Sequence, residues 1–361
     1  MFDSIAFSII RSFIDRGALQ LTLGDRPPVT LKGRHRGPHA SITISNRKIL
    51  WRLVAVPDLA FGEAYMDGHL TVPENGLEPL VDLLMTNSNS WATHWTGRAT
   101  LQIVNALAWL RHLNPRGRSR RNVAHHYDLS DALFDSFLDP WRQYSCGYFH
   151  GEEDTLETAQ VTKLARLAAK LDLQPDDRVL DIGCGWGGLA MAIAGCAEEA
   201  TVTGITLSDH QFSHACNMVA AAGLDSRVDF HLRDYRDQTG HFDKIVSVGM
   251  LEHVGPQGYA SYFAKIRALL ADDGIAVIHT IGVQHKAGPV NRWITKYIFP
   301  GGYLPSIGQM IRHTETRGLK VLDMEVMRGH YAETLRLWRM RFVDRRAAMR
   351  RLYDARFVRM W

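Results

Sequence analysis

The feature that most limits how this chain can fold is a strand, a glycine turn and a helix start at its centre, set where helical and strand periodicities alternate. Arg178-Val-Leu-Asp-Ile-Gly183 reads as a short buried strand that runs straight into Gly183, Gly185 and Gly188. Ahead of it, Asp154 with Glu157 three residues on reads as a helix start, and Leu156, Leu164, Leu167 and Leu171 share one helical face. Further strands read at Thr201 to Thr206, Val228 to Asp234, Lys244 to Met250, Gly274 to Ile281 and Lys320 to Met327, with helical stretches between them. This alternation predicts a doubly wound α/β fold with a parallel sheet, whose ligands sit beyond the carboxyl ends of the strands.

A chain of 361 residues has room for a second unit in front of that sheet. Met1 to Leu21 carries Asp3, Arg11, Asp15 and Arg16 among apolar residues and reads as an amphipathic helix, not a secretory signal. The rest, to about residue 120, mixes helical stretches with a possible strand at Ser41 to Ser45. Arg111, Arg116, Arg118, Arg120 and Arg121 surround Pro115 and Gly117 without an acid among them, which suggests a linker and a division into 1–121 and 122–361.

The net charge of +4 conceals an asymmetry of +6 over residues 1–121, −9 over 122–327 and +7 over 328–361. An acidic body with basic flanks suits contact with an anionic surface, phospholipid or nucleic acid; solvated helix faces would look the same. Hydrophobic residues at 46% and charged residues at 22% exclude a mainly disordered chain. Cys146, Cys184, Cys196 and Cys216 form no CxxC pair, and His125 and His126 have no partners at ligand spacing, so neither a disulfide framework nor a metal site is expected. The longest uncharged run, Ile182 to Ala197, is 16 residues with five glycines, too short and too glycine-rich to span a bilayer.

The glycines satisfy GxGxxG, the pattern of a dinucleotide-binding turn. Two features point elsewhere: Asp181 stands two residues before the first glycine, and the second strand ends in Thr206 where an NAD site would place an acid. The run VLDIGCGWGG resembles the S-adenosylmethionine loop of class I methyltransferases, where the backbone must pass close under the cofactor and any Cβ would collide. A turn that merely packs strand against helix is the plainer alternative.

Reading outward, the chain contains HYDLSDALFDSFLDP (126–140), QYSCGYF (143–149), VSVGMLEHVG (246–255), HTIG (279–282) and KYIFPGGYLPS (296–306). In this order they resemble the cyclopropane-fatty-acyl-phospholipid synthase family, which includes the mycolic acid cyclopropane synthases, and LAFGEAYMDG (59–68) is similar to the family's amino-terminal lipid-engaging domain. The resemblance implies a class I methyltransferase body that transfers a methyl group from S-adenosylmethionine to a cis double bond of a membrane phospholipid and closes a three-membered ring, with bicarbonate as base. It implies that Tyr144, Ser145, Asp181, Gly183, Gly185, Thr206, Leu207, Ser208, Gln211, Asp234 and Tyr235 contact the cofactor. Bicarbonate would lie among Cys146, Glu252, His279, Ile281 and Tyr331, with Ile281 contributing backbone. It also selects phospholipid over nucleic acid as the basic flanks' partner, and implies a homodimer in the cytoplasm, held peripherally at the inner face of the cell membrane.

The chemistry accounts for such a set. An isolated alkene is a weak nucleophile, so reactants must be held in line in a dry pocket. The positive charge then left on carbon can be stabilised by aromatic faces, for which Tyr148, Phe149, Trp293, Tyr297, Tyr303 and Tyr331 are candidates alongside an ordinary core role. Ring closure needs a base that is not itself alkylated; a small replaceable anion, oriented by Glu252 and His279, answers that need. Glu252 could equally cap the turn before Gly255, and His279 could be a buried histidine bonded to backbone. Two rival functions remain: a methyl- or methylene-branching enzyme of the same family, and a lipid-binding protein that keeps the methyltransferase body as scaffold.

Asp131 stands where the family pattern usually has Asn. Family members generally continue past a segment like RFVRMW (356–361) with a further helix and a last strand, so either the 361 residues are a trimmed piece or the sheet lacks its final strand and the pocket one wall.

Overall fold

The structure, a computed structural model, describes residues 2–88, 129–285, 287 and 290–361. The arginine cluster at 111–121, the expected boundary near residue 120, and His125 and His126 lie outside them. The chain forms two compact units. One is built from the amino-terminal residues together with Asn291–Ile298 and Ala348–Trp361, so two late segments belong with the front of the chain; the other comprises the remaining described residues.

The amino-terminal unit opens with helix α1 (Phe2–Ser12) and strand β1 (Arg16–Leu23). The helix expected as far as Leu21 therefore ends at Ser12. Leu19, Leu21 and Leu23 are buried and alternate with the more open Gln20 and Thr22, the period of two that marks a half-buried strand. Strands β2 (Val29–Lys32), β3 (His35–Ile44) and β4 (Leu70–Thr71) complete a sheet of order β2-β1-β3-β4, with β1 parallel to β3 and the outer pairs antiparallel. The possible strand at Ser41 to Ser45 is the end of β3.

Helices α2 (Arg47–Ala55), α3 (Pro57–Met66) and α4 (Leu77–Thr86) cover this sheet around Leu21, Ile44, Leu50 and Leu80. Each fully buried leucine contributes roughly 2 kcal/mol. Helix Arg292–Tyr297 lies on α3, where Gly62 leaves room for an indole: a Cβ on Gly62 would stand 2.3 Å from the Trp293 ring. Arg292 grips Asp58 through two hydrogen bonds of 2.7 and 2.5 Å. Glu63, only 4% exposed, accepts from Lys296 Nζ at 2.7 Å, from the Tyr297 hydroxyl at 2.9 Å and from Arg52.

The second unit carries a five-stranded, wholly parallel sheet: β5 (Arg178–Ile182), β6 (Thr201–Thr206), β7 (Val228–Leu232), β8 (Phe242–Val248) and β9 (Leu270–His279), in the order β7-β6-β5-β8-β9. The chain enters it through α5 (Asp131–Phe134) and α6 (Leu156–Leu171), then alternates through α7 (Gly188–Cys196), α8 (Asp209–Ala221), α9 (Leu251–Val254) and α10 (Tyr259–Leu269). One apolar cluster joins α6, α7 and α8 to the sheet and another joins α10, so both faces are covered and the fold is the expected doubly wound α/β class. Thr155, not Asp154, caps α6 by accepting from Thr158 N–H at 3.2 Å; the Asp154 carboxylate is occupied with the N–H groups of His150 and Gly151.

The expected strand at Lys320 to Met327 does not form. The segment has no regular structure and joins no sheet, and Leu322 is 78% exposed. Its hold is by side chains instead: Arg166 on α6 meets Glu325 at 2.7 Å, and Lys170 meets Asp323. Alternating apolar residues permit a strand, but a ladder needs a neighbour's backbone. Helices α11 (Ile307–Glu315) and α12 (Arg328–Asp344) flank this segment, and Tyr331 therefore sits in the first turns of α12 and does not follow a sixth strand. Among the described residues, no helix is long and apolar enough to cross a membrane.

Candidate active site

The site begins where β5 stops. Gly183, Gly185 and Gly187 all adopt positive φ, of 83°, 57° and 88°, which turns the chain sharply before α7. Above Gly183 and Gly185 an added Cβ would meet nothing closer than Met250 at 3.4 Å, so the turn leaves open space over the strand end. The cleft there is lined by Tyr144, Ser145, Asp181, Gly183, Gly185, Thr206, Leu207, Gln211 and Tyr235 among the expected cofactor residues.

Ser208 and Asp234 do not line it. The Ser208 hydroxyl caps α8, accepting from Gln211 N–H at 3.1 Å, and the Asp234 carboxylate accepts from the Arg236 backbone at 3.0 Å and from its guanidinium. Thr206 donates to Gln211 Oε1 at 3.0 Å, which fixes the amide facing the cleft.

Residues that sequence reasoning missed complete the wall: Arg142, Gln143, Trp186, Met250 and His253 among them. Arg142 pairs with Asp131 at 2.6 Å and with Asp135 at 2.8 Å, and His210 reaches Asp131 at 3.1 Å. The aspartate that departs from the family's usual Asn thus has its own basic partners. Asp181 is 1% exposed, neither of its carboxylate oxygens has a hydrogen-bond partner, and burial raises it to about 7 against the pull of the Lys163 charge.

The turn after β8 supplies Gly249, Met250 and His253 to this cleft and Glu252 to a second, adjoining cluster. Glu252 Oε1 accepts from Ile281 N–H at 2.6 Å, so Ile281 contributes backbone; Oε2 is buried with no partner. His279 ends β9, donating nothing and accepting nothing at its buried Nδ1, while its carbonyl accepts from Gly249 N–H at 2.9 Å. Burial raises the Glu252 carboxyl and lowers the His279 imidazole to about 4.

Cys146 and Tyr331 belong to the same neighbourhood. Burial, followed by the charges of Glu252 and Cys146, pushes the Tyr331 phenol up to about 12, and burial raises the Cys146 thiol to about 11. Helix α12 fixes the loop segment that carries Cys146: Thr334 Oγ1 accepts from Gly147 N–H at 3.0 Å and His330 Nδ1 from Phe149 N–H at 3.1 Å. Glu252, Ile281, Tyr331 and Cys146 are thus linked by the Glu252–Ile281 hydrogen bond and by the charges that reach Tyr331, and His279 stands two residues before Ile281.

Of the aromatic candidates, Trp293 and Tyr297 engage Met66 and Glu63 in the amino-terminal unit. Tyr148 stacks on His330 at 4.3 Å, and Tyr303 packs on Tyr259 while its N–H donates to the Glu252 carbonyl at 3.0 Å.

A sequence model of the family described as mycolic acid cyclopropane synthetase matches residues 115–361. The chain is 39% identical to the cyclopropane-fatty-acyl-phospholipid synthase of Escherichia coli over 89% of this chain and 81% of that protein. It is 39% identical to a tuberculostearic acid methyltransferase of Mycobacterium tuberculosis over 84% of this chain and 73% of the other. A solved mycolic acid cyclopropane synthase, complexed with SAH and CTAB, superposes with a TM-score of 0.64 at 33% identity, covering 69% of this chain and 90% of its own. The chain belongs to the mycolic acid cyclopropane synthetase family, and is an enzyme of the S-adenosylmethionine-dependent methyltransferase class.

Proposed function

We propose that this enzyme converts a cis double bond in an unsaturated phospholipid acyl chain into a cyclopropane ring. When bound, S-adenosylmethionine supplies the electrophilic methyl group and bicarbonate the base that takes up a proton. The observation that carries the reading is the pair of orphaned buried atoms, Glu252 Oε2 and His279 Nδ1, presented from neighbouring strand ends beside a glycine-turn cleft. A buried polar atom without a partner costs about 1–3 kcal/mol, a cost that persists where a ligand completes the bonding. A small planar anion with both an acceptor edge and a hydroxyl fits such a pair.

The chain's own residues would then act by orientation and exclusion. Ile281 N–H fixes the Glu252 carboxyl in one rotamer, so Oε2 faces the anion. Tyr331, held protonated by burial, gives a donor without adding a nucleophile that a carbocation could alkylate, and the Cys146 thiol, also held protonated, donates to the Gly147 carbonyl at 3.1 Å. Asp181, Thr206 and Gln211 would hold the cofactor over the glycine turn, and Ser208 and Asp234 would act by shaping the loops that reach it.

Methyl branching without ring closure is the second reading, favoured by the identity to the tuberculostearic acid methyltransferase. Incubation with unsaturated phospholipid vesicles and methyl-labelled cofactor, followed by NMR of the lipid product, decides between them: cyclopropane protons support the first reading, a branched methyl or methylene the second, and an unlabelled lipid overturns both. Peripheral attachment to an anionic membrane through the basic flanks is part of the proposal. Liposome binding that is insensitive to salt and to anionic lipid content would remove it.

A further inference from the structure

Two polar residues lie on the buried face of α6 one turn apart, and both reach the same short loop segment. Gln160, fully buried, donates through Nε2 to the carbonyls of Gln143 at 3.2 Å and Ser145 at 2.9 Å. Lys163, 1% exposed, donates through Nζ to the Ser145 hydroxyl at 3.1 Å and to Gln143 Oε1. Four bonds from one helix face thus grip residues 143–145, immediately before Cys146.

We infer that Lys163, backed by Gln160, is a positioning residue that sets the Ser145 hydroxyl for cofactor binding and registers Cys146 for the neighbouring pocket. The inference rests on the cofactor reading given above. A hydroxyl that accepts from an ammonium has one lone pair fixed and its proton directed away from the donor, so Ser145 is left as a donor toward the cleft that it lines. Burying an ammonium is costly, which argues against a filler role: a leucine would pack the same apolar stripe at no such cost. Asp139, Asp181, Cys146 and His279 are the titratable groups in electrostatic reach of the ammonium. Burial outweighs the two aspartates and lowers Lys163 to about 8, so its charge, and with it the grip on Ser145, weakens as pH rises through that value.

Calorimetric titration of S-adenosylhomocysteine into the full chain tests this without reference to turnover. Lys163→Met and Ser145→Ala are each expected to weaken binding at least tenfold at pH 7, and the double variant no more than the weaker-binding single, because a hydroxyl without its ammonium, or an ammonium without its hydroxyl, has already lost the directed donor. A Lys163→Met protein that binds like the wild type, or a double variant whose loss is the product of the two singles, overturns the inference. A second measurement needs no lysine variant: between pH 7 and 9 wild-type affinity should fall more steeply than that of Ser145→Ala, and parallel curves overturn the inference. Wild-type protein that fails to bind the ligand at all overturns the cofactor reading instead.

Discussion

Glu63 in the amino-terminal unit and Glu252 in the methyltransferase unit are both buried, at 4% and 8% exposure, yet they are treated oppositely. Glu63 is met by Arg52, Lys296 and Tyr297, and these partners outweigh burial to hold its carboxyl below the usual range. Glu252 accepts from Ile281 N–H on Oε1 and has no hydrogen-bond partner on Oε2, and burial outweighs the pull of that donor and of the Thr280 hydroxyl and raises its carboxyl. A buried acid whose oxygens are all answered from within the fold is a fastening. One left half-answered is a socket.

The largest expected effect is functional. Glu252→Gln should lower ring formation by about a thousandfold, in the range of general acid–base contributions, while S-adenosylhomocysteine affinity stays within a few fold; joint loss would reassign Glu252 to cofactor binding. The same variant should melt no lower than the wild type. A carboxyl whose folded pKa is raised favours the folded state most at low pH and loses that contribution as pH rises through the raised value, so at neutral pH an amide removes a cost.

Next in size is Gly62→Ala. Its Cβ would stand 2.3 Å from the Trp293 ring, and the expected destabilisation is about 3 kcal/mol, seen as a lower melting temperature. Glu63→Gln should cost about 2 kcal/mol, held to that by the partial exposure of Arg52 and Lys296, which lets water take up the freed cations. Glu63's lowered pKa makes its contribution complete at neutral pH and lost only as acid carries the pH down through that value. Destabilisation by Glu252→Gln with none by Glu63→Gln would break the comparison.

The smallest effect concerns Cys146. With its thiol raised to about 11, alkylation by iodoacetamide at pH 8, read by peptide mass spectrometry, should pass over Cys146 and reach the exposed Cys196.

Much of the methyltransferase unit was legible because its signals are local. The strand at 178–182 and the one at 201–206 stand where periodicity puts them, and the glycine turn follows from residues that alone tolerate its backbone angles. The stretch at 320–327 misled because strand formation depends on a partner's free edge. Gln160 and Lys163 were overlooked although the signal is there: both fall on the apolar stripe of Leu156, Leu164 and Leu167, where a polar residue must find a partner.

Sequence by itself determined the α/β class, the glycine turn, and the residue types from which a sulfonium-binding cleft and an anion pocket could be made. Those properties reside in neighbours along the chain and in one- or two-turn periodicities. Only the tertiary structure decided which buried acid is fastened and which is left open, that Trp293 and Tyr297 serve the amino-terminal unit, and that Lys163 reaches Ser145. Each depends on side chains 18 to more than 200 residues apart, and on desolvation that no residue carries until the chain has closed around it.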